Sequence, residues 1–276
     1  MATASKYLAH APDSQGKTHY TPAEHAVWRK LSAAQRPLLP GRACDEFIVG
    51  LDRLQLPTRR IPQCAAVSQR LELATGWRVA PVPALIGFDE FFGMLASRVF
   101  PAASFIRALE EFEYLQEPDI FHEIFGHTPL LTEPMFADFS QHIGEVGQAA
   151  GPQYHIWLAR LYWMTIEFGL INTRYGLRAY GAGIISSNTE LVYALESDVP
   201  QRRPFDVLDA LRTPYRIDRL QPVYYVLDSF RQLVELTTSN LLDLIDEARE
   251  RGMFVSPLSK ESKNDRHDLR PVQPAL

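Results

Sequence analysis

Cysteine is scarce in this chain: there are two among 276 residues, Cys44 and Cys64, in no CxxC or repeated spacing. That excludes a disulfide framework, predicts two inert thiols and suits a reducing compartment. Clustered basic charge is missing as well. Lys and Arg number 28 against 33 Asp and Glu, a formal net charge of −5, which argues against a general nucleic-acid surface and against a polybasic membrane patch. No apolar run suits a bilayer span, since the richest, Ile156 to Ile171, is short and broken by Arg160 and Glu167. The opening MATASKYLAHAPDSQGKTHY has neither a basic n-region nor an apolar h-region, so no secretory signal is expected. No GxGxxG fingerprint, P-loop or internal repeat occurs. The expectation is a cytoplasmic protein that binds neither nucleic acid nor membrane.

What is present is an ordinary globular balance, 46% hydrophobic and 22% charged. The chain is long enough to bury a core unaided, so a metal would serve chemistry more than folding. Residues 1–17 read as a flexible arm, 18–255 as one catalytic domain and 256–276 as a polar, disordered tail. Thr21-Pro22-Ala23-Glu24 carries a capping box with Pro at the first helical position, opening a helix that Pro37, Pro40 and Gly41 end. Further helices are predicted from Cys44 to Leu54, from Val67 to Thr75 with Gly76 closing it, from Phe88 to Phe100 and from Ala102 to Leu115. Helical periodicity then runs from 137 to 171, interrupted at Gly151-Pro152, and returns at Thr189–Leu195, Pro204–Arg212 and Phe230–Glu250. TGWRVAPVPALIG and LQPVYYVL suit strands, and Tyr175–Ser187 is glycine-rich and hairpin-like. The fold class is α+β, predominantly helical, with a small β-sheet or hairpin component around a metal-containing pocket.

The segment Pro118-Asp-Ile-Phe-His122-Glu123-Ile-Phe-Gly126-His127 misses the HExxH zinc motif by one residue. HExxH works because histidines four apart share a helix face. Five steps of about 100° leave the two imidazoles roughly 140° apart on a regular helix. A metal site here therefore requires the helix to end or loosen, and Gly126 is the place expected for that. Two unrelated histidines are the plainer alternative.

Glu167 adds an independent indication. It lies in a stretch from Ile156 that is apolar nearly all round and so expected to be buried. A buried carboxylate needs a partner. Arg160, seven residues back on the same face, is one candidate, and a cation held with the histidine pair is the other. Two imidazoles and a carboxylate match both the facial triad of non-haem iron oxygenases and the His₂Glu catalytic zinc site. Spacing does not separate these, and Glu123 serves as a general base in one and a supporting group in the other.

The stretches PDIFHEIFGHTPLL, LYWMTIEFGL, YGAGIISSNTEL and LQPVYYVLDSF are similar to those of the pterin-dependent aromatic amino acid hydroxylases. With YTPAEHAVWRKL, LPGRACDEFIVGL, IPQCAAVSQRL and TGWRVAPVPALIGFDEFF, the resemblance covers about residues 18 to 252. It implies Fe(II) on His122, His127 and Glu167, with dioxygen and a tetrahydropterin, tetrahydrobiopterin or a bacterial analogue, as cosubstrates. It implies Arg107 for the substrate carboxylate, Asp119 to orient that arginine, Ser186 near the amino-acid end, and Pro118, Trp163 and Phe168 as walls of the aromatic pocket. Phe91 would stack on the pterin, with Glu123, Ala159 and Tyr162 as its neighbours. The family's Gly-Leu-Leu-Ser is Ala84-Leu85-Ile86-Gly87 here.

Trp163 favours L-phenylalanine over tryptophan, and Ile217 stands where tyrosine-selective members carry an acid, with Asp218 next to it. Conversion of phenylalanine to tyrosine in phenylalanine breakdown is expected, by a monomer lacking the animal relatives' regulatory domain and oligomerisation helix. Action on tryptophan or tyrosine is the alternative within the family. Outside it stand a zinc hydrolase with Glu123 as base and a metal-free module that merely binds an aromatic ligand.

Overall fold

Helix α1 follows its capping signals. In the computed structural model, which describes residues 7–83, 86–112 and 117–255, α1 spans Pro22–Gln35. The Thr21 hydroxyl accepts from the Glu24 N–H and the Glu24 carboxylate accepts from the Thr21 N–H, satisfying two donors that a first turn leaves open. Helices α2 (Asp45–Leu54) and α3 (Cys64–Thr75) follow, and α3 closes on Gly76 at φ 77°. Both cysteines are free. Burial raises the Cys64 thiol to about 11 and Cys44 further, which keeps both in the inert form.

The next segment departs from the sequence expectation. Strand β1 (Arg78–Val82) leads to α4 (Phe88–Ala96), which stops short of Phe100. Arg98 takes a left-handed φ of 53°, and Val99–Ala103 forms β2, parallel to β1 with Arg78 opposite Val99. The helix expected from Ala102 to Leu115 is absent from residues 102–112: beyond β2 there is only a 3₁₀ turn at Leu109–Glu111, and Leu115 lies outside the described residues. Pro101 lies within β2, a strand paired on one side to β1, where an edge position tolerates proline.

Helices α5 (Pro134–Ala149) and α6 (Pro152–Tyr162) divide at Gly151-Pro152. Strands β3 (Leu170–Thr173) and β4 (Gly176–Ala179) form the hairpin, followed by α7 (Ala182–Ile185) and α8 (Asn188–Glu196). Strand β5 (Gln201–Pro204) precedes α9 (Val207–Arg212), and β6 (Val223–Leu227) is the strand expected in LQPVYYVL. The sheet order is β4-β3-β6-β5, with β3 antiparallel to β4 and the other pairs parallel. The single helix expected over Phe230–Glu250 is two, α10 (Arg231–Thr237) and α11 (Leu241–Arg251). Thr238 and Ser239 hydroxyls turn back onto the carbonyls of Glu235 and Leu236, and Asn240 then caps α11.

The core gathers around one short segment. Phe121 and Phe125 stack at 4.7 Å, with Trp28 of α1 on the first and Phe47 of α2 on the second. All four are fully buried. Of the expected arm over 1–17, residues 7–17 are described: Tyr7 stacks on Phe105 at 4.4 Å and the His10 N–H donates to the Ser104 carbonyl. The tail from 256 lies outside the described residues, within which no helix is long and apolar enough to cross a membrane.

Helix α4, which carries Phe91, rests on α5 through Gly144. A Cβ there would lie 2.3 Å from the Ala96 nitrogen and 2.6 Å from the Leu95 Cβ. Gly144→Ala is therefore expected to cost about 1–3 kcal/mol of overpacking. It should be read as a lower denaturant midpoint at unchanged slope; an unshifted midpoint would contradict the close packing.

Candidate active site

From Phe121 the chain widens into a π-helical turn, His122–His127. Its hydrogen bonds run from residue i to i+5, so residues five apart return to one face. The two Nε2 atoms lie 3.0 Å apart. The expected relaxation is thus real but is not an ending at Gly126, because helical backbone continues through Thr128 at φ −65°. Gly126 has another task. A Cβ there would meet the Ala182 carbonyl at 3.1 Å and the Ser186 Cβ at 3.4 Å, so bare backbone admits α7.

Glu167 arrives by the same device. Trp163–Glu167 is also π-helical, continuing from α6, and the Phe168 N–H closes it on the Trp163 carbonyl five residues back. Glu167 Oε1 is 3.1 Å from His127 Nε2 and Oε2 is 3.5 Å from His122 Nε2. Arg160, the competing partner, bonds the Leu211 carbonyl and lies over the Trp157 ring instead. Next to Glu167, a Cβ on Gly181 would lie 2.3 Å from the Glu167 carbonyl oxygen, which accounts for glycine in that turn of YGAG.

These three donors fit one cation. Ligand bonds of about 2.1 Å put neighbouring donors roughly 3.0 Å apart at right angles and roughly 3.4 Å apart at tetrahedral angles, close to the spacings seen. Burial pushes the Glu167 carboxyl up, but the two imidazoles outweigh it and hold it well below the usual carboxylate range. Burial lowers both imidazoles. The charge of Glu167 more than restores His122 but not His127. Glu123 also comes near, within 4.8 Å of both histidine donors. At 4.0 Å from His127 Nε2 it is the more distant carboxylate, and burial raises it to about 8, so Glu167 is the better ligand.

Ser186, expected at the substrate's amino-acid end, has its Oγ 2.8 Å from His122 Nδ1. Arg107 and Asp119 form a buried pair. Asp119 accepts from Arg107 Nε at 2.8 Å, from Nη2 at 2.9 Å and from the Arg107 and His122 backbone N–H groups at 3.0 Å. The same carboxylate therefore anchors the arginine and the first turn of the histidine segment.

Two cavities meet at the triad. The larger, about 520 Å³, is lined by Arg107, Pro118, Trp163, Phe168 and Ser186. The smaller is a cleft of about 10 Å³, lined by Phe91, Glu123 and Tyr162, with Phe100 and Pro101; it has room for about one water, so a larger ligand there would have to part these side chains. His122 and Glu167 border both. Ala159 is buried on α6, one turn before Tyr162, and lines neither. Ile86 and Gly87 precede α4, while Ala84 and Leu85 fall outside the described residues. Sequence reasoning missed Tyr215, stacked on Trp163 at 4.5 Å, and Glu190 and Gln221 in the wall of the larger cavity. Glu190 lies within a matching stretch but carries no local signal beyond a place in a helix.

The sequence model of the biopterin-dependent aromatic amino acid hydroxylases matches residues 2–243. The chain belongs to this family. It is thus a pterin-dependent oxidoreductase acting on an aromatic amino acid, which sets aside the zinc hydrolase and the metal-free binding module. The chain is 51% identical over 251 residues to the phenylalanine-4-hydroxylase of Pseudomonas aeruginosa, covering 91% of this chain and 95% of that one. The apo structure of the cold-active phenylalanine hydroxylase of Colwellia psychrerythraea superposes at a TM-score of 0.90 with 47% identity, over 93% of this chain and 100% of that one. The Chromobacterium violaceum phenylalanine hydroxylase with bound oxidised Fe(III) does so at 0.85 with 42% identity, over 91% and 92%.

The Arg107–Asp119 pair has a pH signature. Burial would raise the Asp119 carboxyl, but the Arg107 guanidinium and the two N–H groups outweigh it and hold it below the usual range. With the folded value depressed, the stabilisation is complete above the unfolded carboxylate value of about 4. It is lost as pH falls through the lower folded value. Asp119→Asn is expected to cost about 3–5 kcal/mol at neutral pH by leaving Arg107 buried and unpaired. Denaturant midpoints taken across pH should converge for the two proteins below about pH 4; a constant gap would count against the pair.

Proposed function

We propose that His122, His127 and Glu167 hold an iron(II), and that the enzyme uses dioxygen and a tetrahydropterin to hydroxylate L-phenylalanine to L-tyrosine. The observation that carries this reading is the convergence of three donors, 3.0 to 3.5 Å apart, on the boundary between two cavities. When bound, iron and pterin together supply oxygen activation for attack on the aromatic ring. Likeness to the iron-bound C. violaceum enzyme supports iron over zinc.

The chain's own residues do the positioning. Asp119 takes Arg107 Nε and one N–H of Nη2, and Nη1 donates at 3.5 Å to the Phe112 carbonyl, which leaves one N–H on each terminal nitrogen for the substrate carboxylate, a pairing the planar fork suits. Trp163 and Phe168, 4.6 Å apart, and Pro118 offer the substrate ring an apolar surface and keep water from it. Ser186 Oγ can accept from His122 Nδ1–H, and in that tautomer Nε2 is free to ligate. On the opposite side Phe91 and Tyr162, edge to face at 5.4 Å, provide aromatic surface for a pterin, with Glu123 as the polar group beside them and Ala159 in the backbone behind. Phenylalanine is favoured over tyrosine because Ile217 is apolar and the Asp218 carboxylate is already held by Arg216 and approached by Arg219. An apolar site without a partner for a hydroxyl rejects the hydroxylated analogue by only about a hundredfold, so the preference is a modest one. The reading includes a cytoplasmic monomer serving phenylalanine breakdown, and sedimentation across concentrations tests the monomer.

Apo-protein supplied with Fe(II), tetrahydropterin, oxygen and phenylalanine should form tyrosine, and with Zn(II) it should not. Absence of iron- and pterin-dependent tyrosine would reject the reading. Glu167→Ala is expected to lose iron affinity and turnover together. Arg107→Ala should mainly raise the KM for phenylalanine, and an unchanged KM would remove it from the substrate site.

A further inference from the structure

Residues 217–221, which line the larger cavity together with His122 and Glu167, belong to an irregular segment, residues 213–222. Helix and sheet bonds do not hold it in shape. Side chains do, among them Asp218, which accepts from Arg216, and the buried Gln221. The Gln221 Nε2 donates to the Arg216 carbonyl at 2.7 Å and to the Arg219 carbonyl at 3.1 Å, drawing the segment into a closed loop. Its Oε1 accepts the indole N–H of Trp163 at 3.3 Å. Only this orientation of the amide satisfies all three bonds, because carbonyls require a donor and the indole requires an acceptor. Gln221 is itself 3% exposed, and its backbone N–H donates at 3.1 Å to Glu190, a carboxylate 6% exposed at the first turn of α8 that also accepts from the Tyr224 hydroxyl. The Trp163 ring also stacks on Tyr215 at 4.5 Å and packs, tilted, on Phe168 at 4.6 Å.

A buried glutamate and a buried glutamine, in contact with neither Arg107 nor the iron ligands in the bonds just described, would be an expensive way to close a surface loop. Their common product is a fixed distance between the 216–221 segment and the Trp163 indole. We propose that Gln221, anchored by Glu190, is a specificity-determining positioning residue. It locks loop 216–221 onto Trp163 and so sets the width of the slot that receives the aromatic side chain. The proposal rests on the substrate pocket assigned above. It explains how an apolar indole, able to rotate, is kept flat against its slot: the bond at Nε1 removes that freedom. It also predicts that selectivity among aromatic amino acids depends on the hydrogen bonds of Gln221 to its protein neighbours as well as on the surface it lends to the cavity wall.

The experiment uses the iron-loaded full chain and measures kcat and KM for phenylalanine, tyrosine and tryptophan, the KM for tetrahydropterin, and amino acid hydroxylated per pterin consumed. Gln221→Met keeps the volume and removes every side-chain bond. It should raise the phenylalanine KM and narrow the preference for phenylalanine over tryptophan, each roughly tenfold, the size of one or two buried hydrogen bonds. Pterin KM and iron content should stay unchanged, and product per pterin should fall. Gln221→Glu retains the acceptor for Trp163 and loses the donors to residues 216 and 219, so it should recover part of the selectivity. In a Trp163→Phe background, Gln221→Met should have a much smaller effect on selectivity. Unchanged relative kcat/KM for the three amino acids in Gln221→Met would overturn the proposal, as would loss of iron and of all three activities in parallel in both Gln221 variants. If the wild-type enzyme instead prefers tryptophan or tyrosine, the substrate assigned under Proposed function fails. The slot proposal still stands or falls on whether the ratios move.

Discussion

A carboxylate at 4% exposure, with no lysine or arginine paired to it among the described residues, must be neutralised by something. Around Glu167 the neighbours are two imidazoles whose Nε2 atoms are themselves 3.0 Å apart. Both imidazoles cannot carry protons at that separation in a poorly screened interior. A cation bound to two neutral nitrogens and one carboxylate resolves both difficulties at once. Much of the architecture follows from that requirement: Phe121 and Phe125 clamp the histidine turn from the core side, Gly126 admits α7 and with it Ser186, and α6 delivers Glu167 from the far side.

The two cavities are consequences of the same arrangement. His122 and Glu167 border both, and the surroundings they leave open are divided between an aromatic slot that includes Arg107 in its lining and a second, small aromatic cleft. The link between chemistry and recognition is short. Asp119 bonds both Arg107 and the His122 backbone N–H, so one buried carboxylate sets the distance from the guanidinium to the first turn of the histidine segment.

How much of this was legible in the sequence depends on how local its cause was. The capping box at Thr21, the glycine closure at Gly76 and the break at Gly151-Pro152 involve neighbours within a turn, and they stand where the residues indicate. Strand β2 did not, because apolar spacing runs on from α4 into Val99-Phe100, and only pairing with β1, some twenty positions earlier, makes it a strand. Arg107 therefore lies on extended chain rather than on a helix. The histidine spacing announced an irregular helix but not that the whole turn widens. Tyr215, Gln221 and Glu190 were invisible as a group, since their bonds join segments 31 and 58 positions apart with no shared motif. The resemblance carried Ser186 toward the substrate; the residue lines the larger cavity, and its hydroxyl also bonds His122, a second contact that no sequence spacing announced.

The wide turns at His122–His127 and Trp163–Glu167 have an implication for how such a site is inherited. Each accommodates one residue more than an α-helical turn would. At the level of the gene, each is the equivalent of a single in-frame codon. Removing that codon would leave composition, hydrophobic pattern and helical propensity almost untouched while rotating one side chain of the triad away from the others. The capacity to gather these three side chains is thus written less in which amino acids are present than in how many lie between them. In a lineage of such proteins, length polymorphism inside a helix would be as informative about the site as substitution.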